Sequence, residues 1–266
     1  MEEIELSSVQ DAIIKNFIRS GELLGELSQL LAFIRTDRMQ RFESDVPFAL
    51  FNSVVDYAPS EGIDPTDEIK TMKTLYHHRG QKLRWLTYSH KPDEAVNRAL
   101  AIHDLEPSEV LVGMGLDLNG WRLRLPDIPG LEVRLVREAQ ELEDYRKTIL
   151  AGFSIPEPMA DLYCKVFVDG PNQDSSPIQH YLAYLDGVPV TTLSTFIDGD
   201  VAGIYSIATV EAYRSRGLAQ TVLAYGLGVA QQQGAKLAVI HATPMGRTVY
   251  QRVGFKEELT ITFHST

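Results

Sequence analysis

Between Val210 and Leu223 the chain reads VEAYRSRGLAQTVL, which sets two arginines around a serine, then a glycine, then apolar residues at helical spacing. Residues 204–210 read as a strand, and Leu218, Val222, Tyr225 and Val229 mark one apolar face of a helix. Residues 211–217 are then a strand-to-helix turn. The first N–H groups of a helix have no intrahelical acceptor and sit at the positive end of the macrodipole, so such a turn is suited to an anion. Gly217 permits a positive φ and close backbone approach. Ala219 is small enough for a phosphate to rest on the first turn, and Arg214 and Arg216 bring positive charge. The same residues also fit an ordinary glycine-containing turn with solvated arginines. The stretch is neither a G-x-x-x-x-G-K-[ST] phosphate loop nor a G-x-G-x-x-G dinucleotide fingerprint.

Other groups with chemical potential are few. Cys164 is the single cysteine, which excludes an intramolecular disulfide and a thiolate-rich zinc site. With no histidine-rich partner pattern it reads as a small buried residue. His77 and His78 are adjacent and point apart in most backbones, so no metal is expected. The net charge of −11 speaks against non-specific nucleic-acid binding, which needs clustered Lys and Arg. No apolar run reaches the length of a membrane span, and the start MEEIELSSVQ is acidic where a secretory signal would be basic and then apolar. A reducing cytoplasm is the expected location.

These residues need a scaffold, and 266 residues allow one large domain or two smaller ones. In the first half, residues 8–35 read as one or two helices through Ile13, Phe17, Leu24, Leu27, Leu31 and Ile34. Strands are expected at Phe48–Val55, Lys82–Tyr88 and Val110–Leu118, with helices from Asp64 to Leu75 and Lys91 to His103. The segment NGWRLRLPDIPG carries two prolines and two glycines and places a boundary between domains at 1–125 and 131–266. In the second half the order is strand 131–136, helix 139–152, a Pro-opened helix 155–170, and three strands joined by turns at Asp186-Gly187 and Asp198–Asp200. The helix to Gln233, strand 235–243, helix 244–254 and strand 258–263 follow. This is a mixed α/β class, a partly antiparallel sheet with helices on both faces.

With that order in place, residues 131–266 resemble the GNAT superfamily of acyl-CoA-dependent N-acyltransferases. RSRGLA fits the family's [RQ]-x-x-G-x-[GA] pyrophosphate loop at Arg214, Gly217 and Ala219. TPMGRTVYQRVGF resembles its N-x-x-A-x-x-L-Y-x-x-x-G-F signature at Tyr250, Gly254 and Phe255. It departs from that signature at Thr243, Gly246 and Val249. The order of the first half is similar to the degenerate N-terminal half of two-domain members, giving a smaller α/β domain without coenzyme A.

The resemblance implies acetyl-CoA as co-substrate, no metal, and a small-molecule or peptide amine as acceptor, with no nucleic-acid or membrane partner, in a monomer or homodimer. It implies that the pantetheine arm pairs with Ile207, Ala208 and Thr209, and that Arg214, Ser215, Arg216, Gly217, Leu218, Ala219 and Gln220 hold the pyrophosphate. A backbone N–H at Ile207 or Ala208 would polarise the thioester, Tyr250 would protonate the departing thiolate, and Thr243 would stand in for the usual Asn contact. Residues 153–167 would line the acceptor pocket. Glu211 and His241 are the nearest candidates for a base, set against plainer readings as a surface charge and a packed histidine. The expected function is transfer of an acetyl group to a primary amine by direct attack in a ternary complex. The alternatives are a non-catalytic acyl-CoA sensor and a nucleotide-binding regulatory domain.

Overall fold

The computed structural model describes residues 8–60, 62–170 and 176–266, so the acidic start at Met1–Ser7 lies outside it. In chain order the first half holds α1 (Val9–Leu27), β1 (Ala32–Arg35), β2 (Met39–Glu43), β3 (Ser53–Tyr57), α2 (Thr66–His78), β4 (Arg84–Tyr88), α3 (Glu94–Ile102) and β5 (Glu106–Asp117). The second holds β6 (Leu131–Leu135), α4 (Ala139–Phe153), α5 (Glu157–Cys164), β7 (Ile178–Leu185), β8 (Val188–Asp198), β9 (Val201–Thr209), α6 (Leu218–Gln232), β10 (Leu237–Ala242), α7 (Pro244–Val253) and β11 (Lys256–Ser265).

Two segments of the first half differ from expectation. Residues 32–35 are not the end of a helix but β1, which pairs antiparallel with β2. The stretch expected as a strand from Phe48 begins instead as a single 3₁₀ turn, Ala49–Phe51. The cause is Asn52, fully buried, whose side chain bonds Ser44 N–H (3.0 Å), Val46 C=O (2.7 Å) and Phe48 C=O (3.2 Å) and so gathers the loop around itself. In the second half, the helix expected through residue 170 becomes π-helical at Lys165–Asp169.

The chain forms two compact units. One runs through Ser20 and resumes at Gly113–Glu258; the other comprises Gly21–Val112 and Leu259–Thr266. Relative to contiguous halves, each takes a piece from the other. The reason lies in a repeat. Three strands, a helix, a strand, a helix and a last strand occur twice, as β1-β2-β3-α2-β4-α3-β5 and as β7-β8-β9-α6-β10-α7-β11. The last strands are exchanged: β4 pairs with β11 and β10 lies beside β5.

In the larger unit the strand order is β5-β10-β9-β8-β7-β6. The β7–β8 and β8–β9 turns use Asp186 (φ +50°), Gly187 (+80°) and Gly199 (+60°), the left-handed residues that tight hairpins need. Successive strand residues face opposite sides, and β8 shows which helix covers which. Ser194 meets Tyr145 of α4, while Leu193 and Thr195 meet Gly226 of α6. Gly226 lets α6 approach, since a Cβ there would stand 2.3 Å from Leu193 Cδ2. Tyr145, Ile149, Leu193, Val222, Leu223 and Leu227 are buried between these layers, each contributing about 1.5–3 kcal/mol of burial.

In the smaller unit the order is β1-β2-β3-β4-β11, antiparallel except between β3 and β4. Its core gathers Ile69 and Tyr76 from α2, Val96 and Leu100 from α3, and Trp85 from β4.

Candidate active site

The site begins where two parallel strands part. β9 and β10 pair from Val201 and Leu237 to Ile204 and Ile240, and no pair follows. From Tyr205 to Thr209, β9 keeps β8 on one side and presents its other edge. Ser194 pairs with Tyr205 and Thr192 with Ala208, so Ser206 and Ile207 together oppose Leu193 in a β-bulge. Ser206 takes φ +54°, unusual for a non-glycine residue inside a strand. Thr192 Oγ1 donates to its carbonyl at 2.7 Å.

A buried polar chain lies beneath the bulge. Tyr145 Oη and Ser194 Oγ are 2.7 Å apart, Ser194 Oγ is 2.8 Å from His180 Nδ1, and His180 Nε2 is 3.2 Å from the Val168 carbonyl. A carbonyl only accepts, so the neutral imidazole carries its proton on Nε2, and Ser194 donates to Nδ1. None of this was visible in the sequence except as a serine in an apolar strand.

Beyond Thr209, a 3₁₀ turn at Glu211–Tyr213 leads through Ser215 (φ +62°) to Gly217 (φ +79°), the N-cap of α6. No side chain caps this helix, and its first internal bond runs from Thr221 N–H to Gly217 C=O. The N–H groups of Leu218, Ala219 and Gln220 therefore start the helix without a carbonyl acceptor. The nearest atom to a Cβ built on Gly217 is Ile128 Cδ1 at 3.8 Å, so the space over the turn is open.

The two arginines behave differently. Arg214 Nε donates to Thr209 C=O (3.1 Å) and Nη2 to Gly152 C=O (2.8 Å), tying the end of β9 to the end of α4. Gly152 allows this approach, because a Cβ there would meet Ala208 Cβ at 2.7 Å. Arg216 is exposed, lies over the Tyr213 ring and donates to Ala212 C=O (3.0 Å). Arg214 thus has a scaffolding task that the sequence did not reveal.

Tyr250 lies on α7, which opens with Thr243 as N-cap accepting from Gly246 N–H (3.2 Å) and Pro244 at the first turn. The Thr243 hydroxyl is therefore engaged in holding the helix. Helical side chains lean toward the N-terminus, and the Tyr250 ring covers the turn before it. A Cβ on Gly246 would stand 2.8 Å from the Tyr250 hydroxyl, so glycine at this position makes room for the ring. Burial pushes the Tyr250 phenol up to about 12, which keeps it protonated.

The first half of α1 belongs to this unit and seats against the parting strands. Asn16 accepts from Tyr205 Oη at 2.7 Å, and the Phe17 ring lies 5.0 Å from that of His241. His241 is thus a packing residue at the divergence of β9 and β10, while Glu211 is exposed at the end of β9. Cys164 is buried and its thiol pushed up to about 11, which agrees with an inert side chain. The sequence analysis gave α1 no role here; the signal that could have found it is Asn16, a polar residue set among Ile13, Ile14, Phe17 and Ile18. A Cβ on Gly203 would come within 1.9 Å of Asn16 Oδ1. Gly203→Ala should therefore lift α1 and cost about 1–3 kcal/mol, lowering Tm by roughly 2–10 °C in a thermal melt.

Acid should weaken the fold through two histidines. Burial holds His180 and His241 down to about 4 each. The unfolded chain protonates them as pH falls through about 6.5, whereas the native state resists until about 4. Each then contributes stability at neutral pH that is lost over this window, with a slope approaching about 1.4 kcal/mol per pH unit. Urea unfolding at pH 7.5 and 5.5 should show the loss, and His241→Phe should flatten it. An equal pH dependence in that variant would contradict the assignment.

Residues 142–255 match the family model described as Acetyltransferase (GNAT) family, so the second half of the chain holds a GNAT domain. The activity common to that family is acyl transfer from an acyl-CoA to an amine in general. Similar solved structures include a GCN5-related N-acetyltransferase from Kribbella flavida, 18% identical over 94% of each chain with a TM-score of 0.68. A GCN5-related N-acetyltransferase from Sphaerobacter thermophilus is 13% identical over 98% of this chain and 93% of its own, with a TM-score of 0.67. A tandem GNAT protein from the clavulanic acid biosynthesis pathway is 12% identical, with coverage of 98% and 96% and a TM-score of 0.62. At these identities the likeness is one of fold. No curated protein matches the sequence.

Proposed function

We propose that the protein transfers an acetyl group from acetyl-CoA to a primary amine of a small molecule or peptide, by direct attack in a ternary complex. The observation that carries this reading is the open edge of β9 at Tyr205–Thr209, which runs straight into the uncapped start of α6 at Gly217. The edge offers backbone groups to an extended amide-bearing arm, and the N–H groups of Leu218, Ala219 and Gln220 suit a pyrophosphate. The bulge at Ser206–Ile207 takes Ile207 out of the regular ladder, so its N–H can meet a thioester oxygen as charge develops there. The amine nitrogen forms its bond to the carbonyl carbon, the carbon–sulfur bond breaks, and Tyr250 gives its proton to the leaving sulfur. The proton released by the amine passes to water. The lone buried Cys164 suits a reducing compartment such as the cytoplasm.

One feature favours a second reading, binding of an acyl-CoA without turnover. Among the described residues near the bulge, His180 and His241 are buried and held neutral, and Glu211 stands at the strand's far end. Acetyl-CoA supplied with a panel of amines, with free thiol measured, separates the two. Thiol release with any amine supports transfer. Binding of coenzyme A without release supports the second reading, and no binding of coenzyme A defeats both.

A further inference from the structure

The smaller unit repeats the parting of strands, with different chemistry. β3 and β4 pair in parallel only at Ser53 with Arg84 and Val54 with Trp85. Beyond that point a cleft of about 480 Å³ opens, lined wholly by residues of this unit. Both features that suit an acyl-CoA in the larger unit are taken up here by the chain itself. Tyr88 Oη donates to the Val55 carbonyl at 2.6 Å, so the edge of β3 is engaged. At the start of α2 the Asp64 carboxylate accepts from Thr66 N–H at 2.9 Å, and Asp67 and Glu68 occupy the first turn. A phosphate would meet three carboxylates where the other unit offers bare N–H groups.

The lining also differs in sign. Asp56, Asp93 and Glu106 border the cleft against Lys91, the single lysine or arginine among its described lining residues, and burial pushes the His264 imidazole down. Asp56 uses Oδ2 toward Gln40, and Asp93 uses Oδ1 to cap α3. Each keeps a second oxygen. Tyr57, Trp85 and Tyr88 are among the lining residues; Trp85 is itself buried and stands edge to face with the partly buried Tyr57 at 5.1 Å. Carboxylates combined with aromatic rings in a half-enclosed cavity suit an organic cation, which gains both charge pairing and ring contact.

We propose that this cleft is a second ligand site, one that takes a small organic amine carrying two or more positive charges and does not take an acyl-CoA. The assignment is independent of whether the larger unit turns over.

Spermidine is the probe. Because the chain has two tryptophans, a Trp121→Phe variant leaves Trp85 as the reporter in the cleft. Spermidine should change Trp85 fluorescence saturably and bind one per chain by calorimetry, while the neutral butane-1,4-diol leaves both readings flat. Asp56→Asn combined with Asp93→Asn should weaken the Trp85 response at least about tenfold, since asparagine still caps a helix. Should that pair fail to fold, Glu106→Gln is held to the same direction of effect. Affinity should also fall as salt rises. No Trp85 response to spermidine, an equal response after the substitutions, or a response to coenzyme A in its place would each overturn the proposal. Calorimetric binding that leaves Trp85 unmoved would assign spermidine to the larger unit and overturn it as well.

Discussion

Gly217→Val should abolish coenzyme A binding, with a loss of about a hundredfold or more, or ~2.8 kcal/mol. Two costs combine. Gly217 sits at φ +79°, a region that a β-branched residue scarcely enters. The open space over the turn, where Ile128 Cδ1 at 3.8 Å is the nearest protein atom, would also be filled by the new side chain. The fold has reason to survive, because the added Cβ meets nothing closer in the protein. Arg216→Ala is the contrasting measurement. Its guanidinium is exposed and lies over Tyr213, so a solvated contact of less than about 1 kcal/mol is at stake. Calorimetric titration with coenzyme A ranks the two, and the reverse order would show that side-chain charge, not backbone, holds the ligand.

Tyr250→Phe should lower kcat by about 10²–10⁴, the usual span for a general acid, while coenzyme A affinity stays within about twofold. The ring is buried, so phenylalanine keeps the packing with Phe255 at 6.3 Å and over Gly246. Only the hydroxyl is removed. With the phenol pushed up to about 12, the acid form persists across the neutral range, and the wild-type rate should show no falling limb from Tyr250 below about pH 10. Steady-state rates of thiol release against pH, set beside titrations with coenzyme A, check both statements. Unchanged turnover in Tyr250→Phe would remove this residue from the chemistry.

Much of the second half was legible because its signals are local. Asp186-Gly187 fixes a hairpin, Pro244 opens α7, and Gly217 separates a strand from an apolar helix. What escaped depends on neighbours far along the chain. The bulge at Ser206 exists through its register with Thr192 and Ser194. The bonds of Arg214 require Gly152, sixty-two residues away, to lie against Ala208. The first half was read less well because β1 and β2 are four and five residues long. Ile34 of β1 also continues the helical spacing of α1. Asn52 looks like any loop asparagine until its three bonds are seen. The role of α1 went unread, because a polar residue such as Asn16 on an apolar helix face does not name the strand it will meet.

The exchange of last strands sets an order on the protein's birth. β4 ends at Tyr88, yet its partner β11 spans Lys256–Ser265. At roughly 5–20 residues per second, the ribosome keeps β4 waiting on the order of ten to thirty seconds for the segment that completes its sheet. During that interval the smaller unit carries an unpaired edge that invites another chain. A nascent polypeptide of this sequence therefore closes the sheet it began first only once residues 256–265 have emerged.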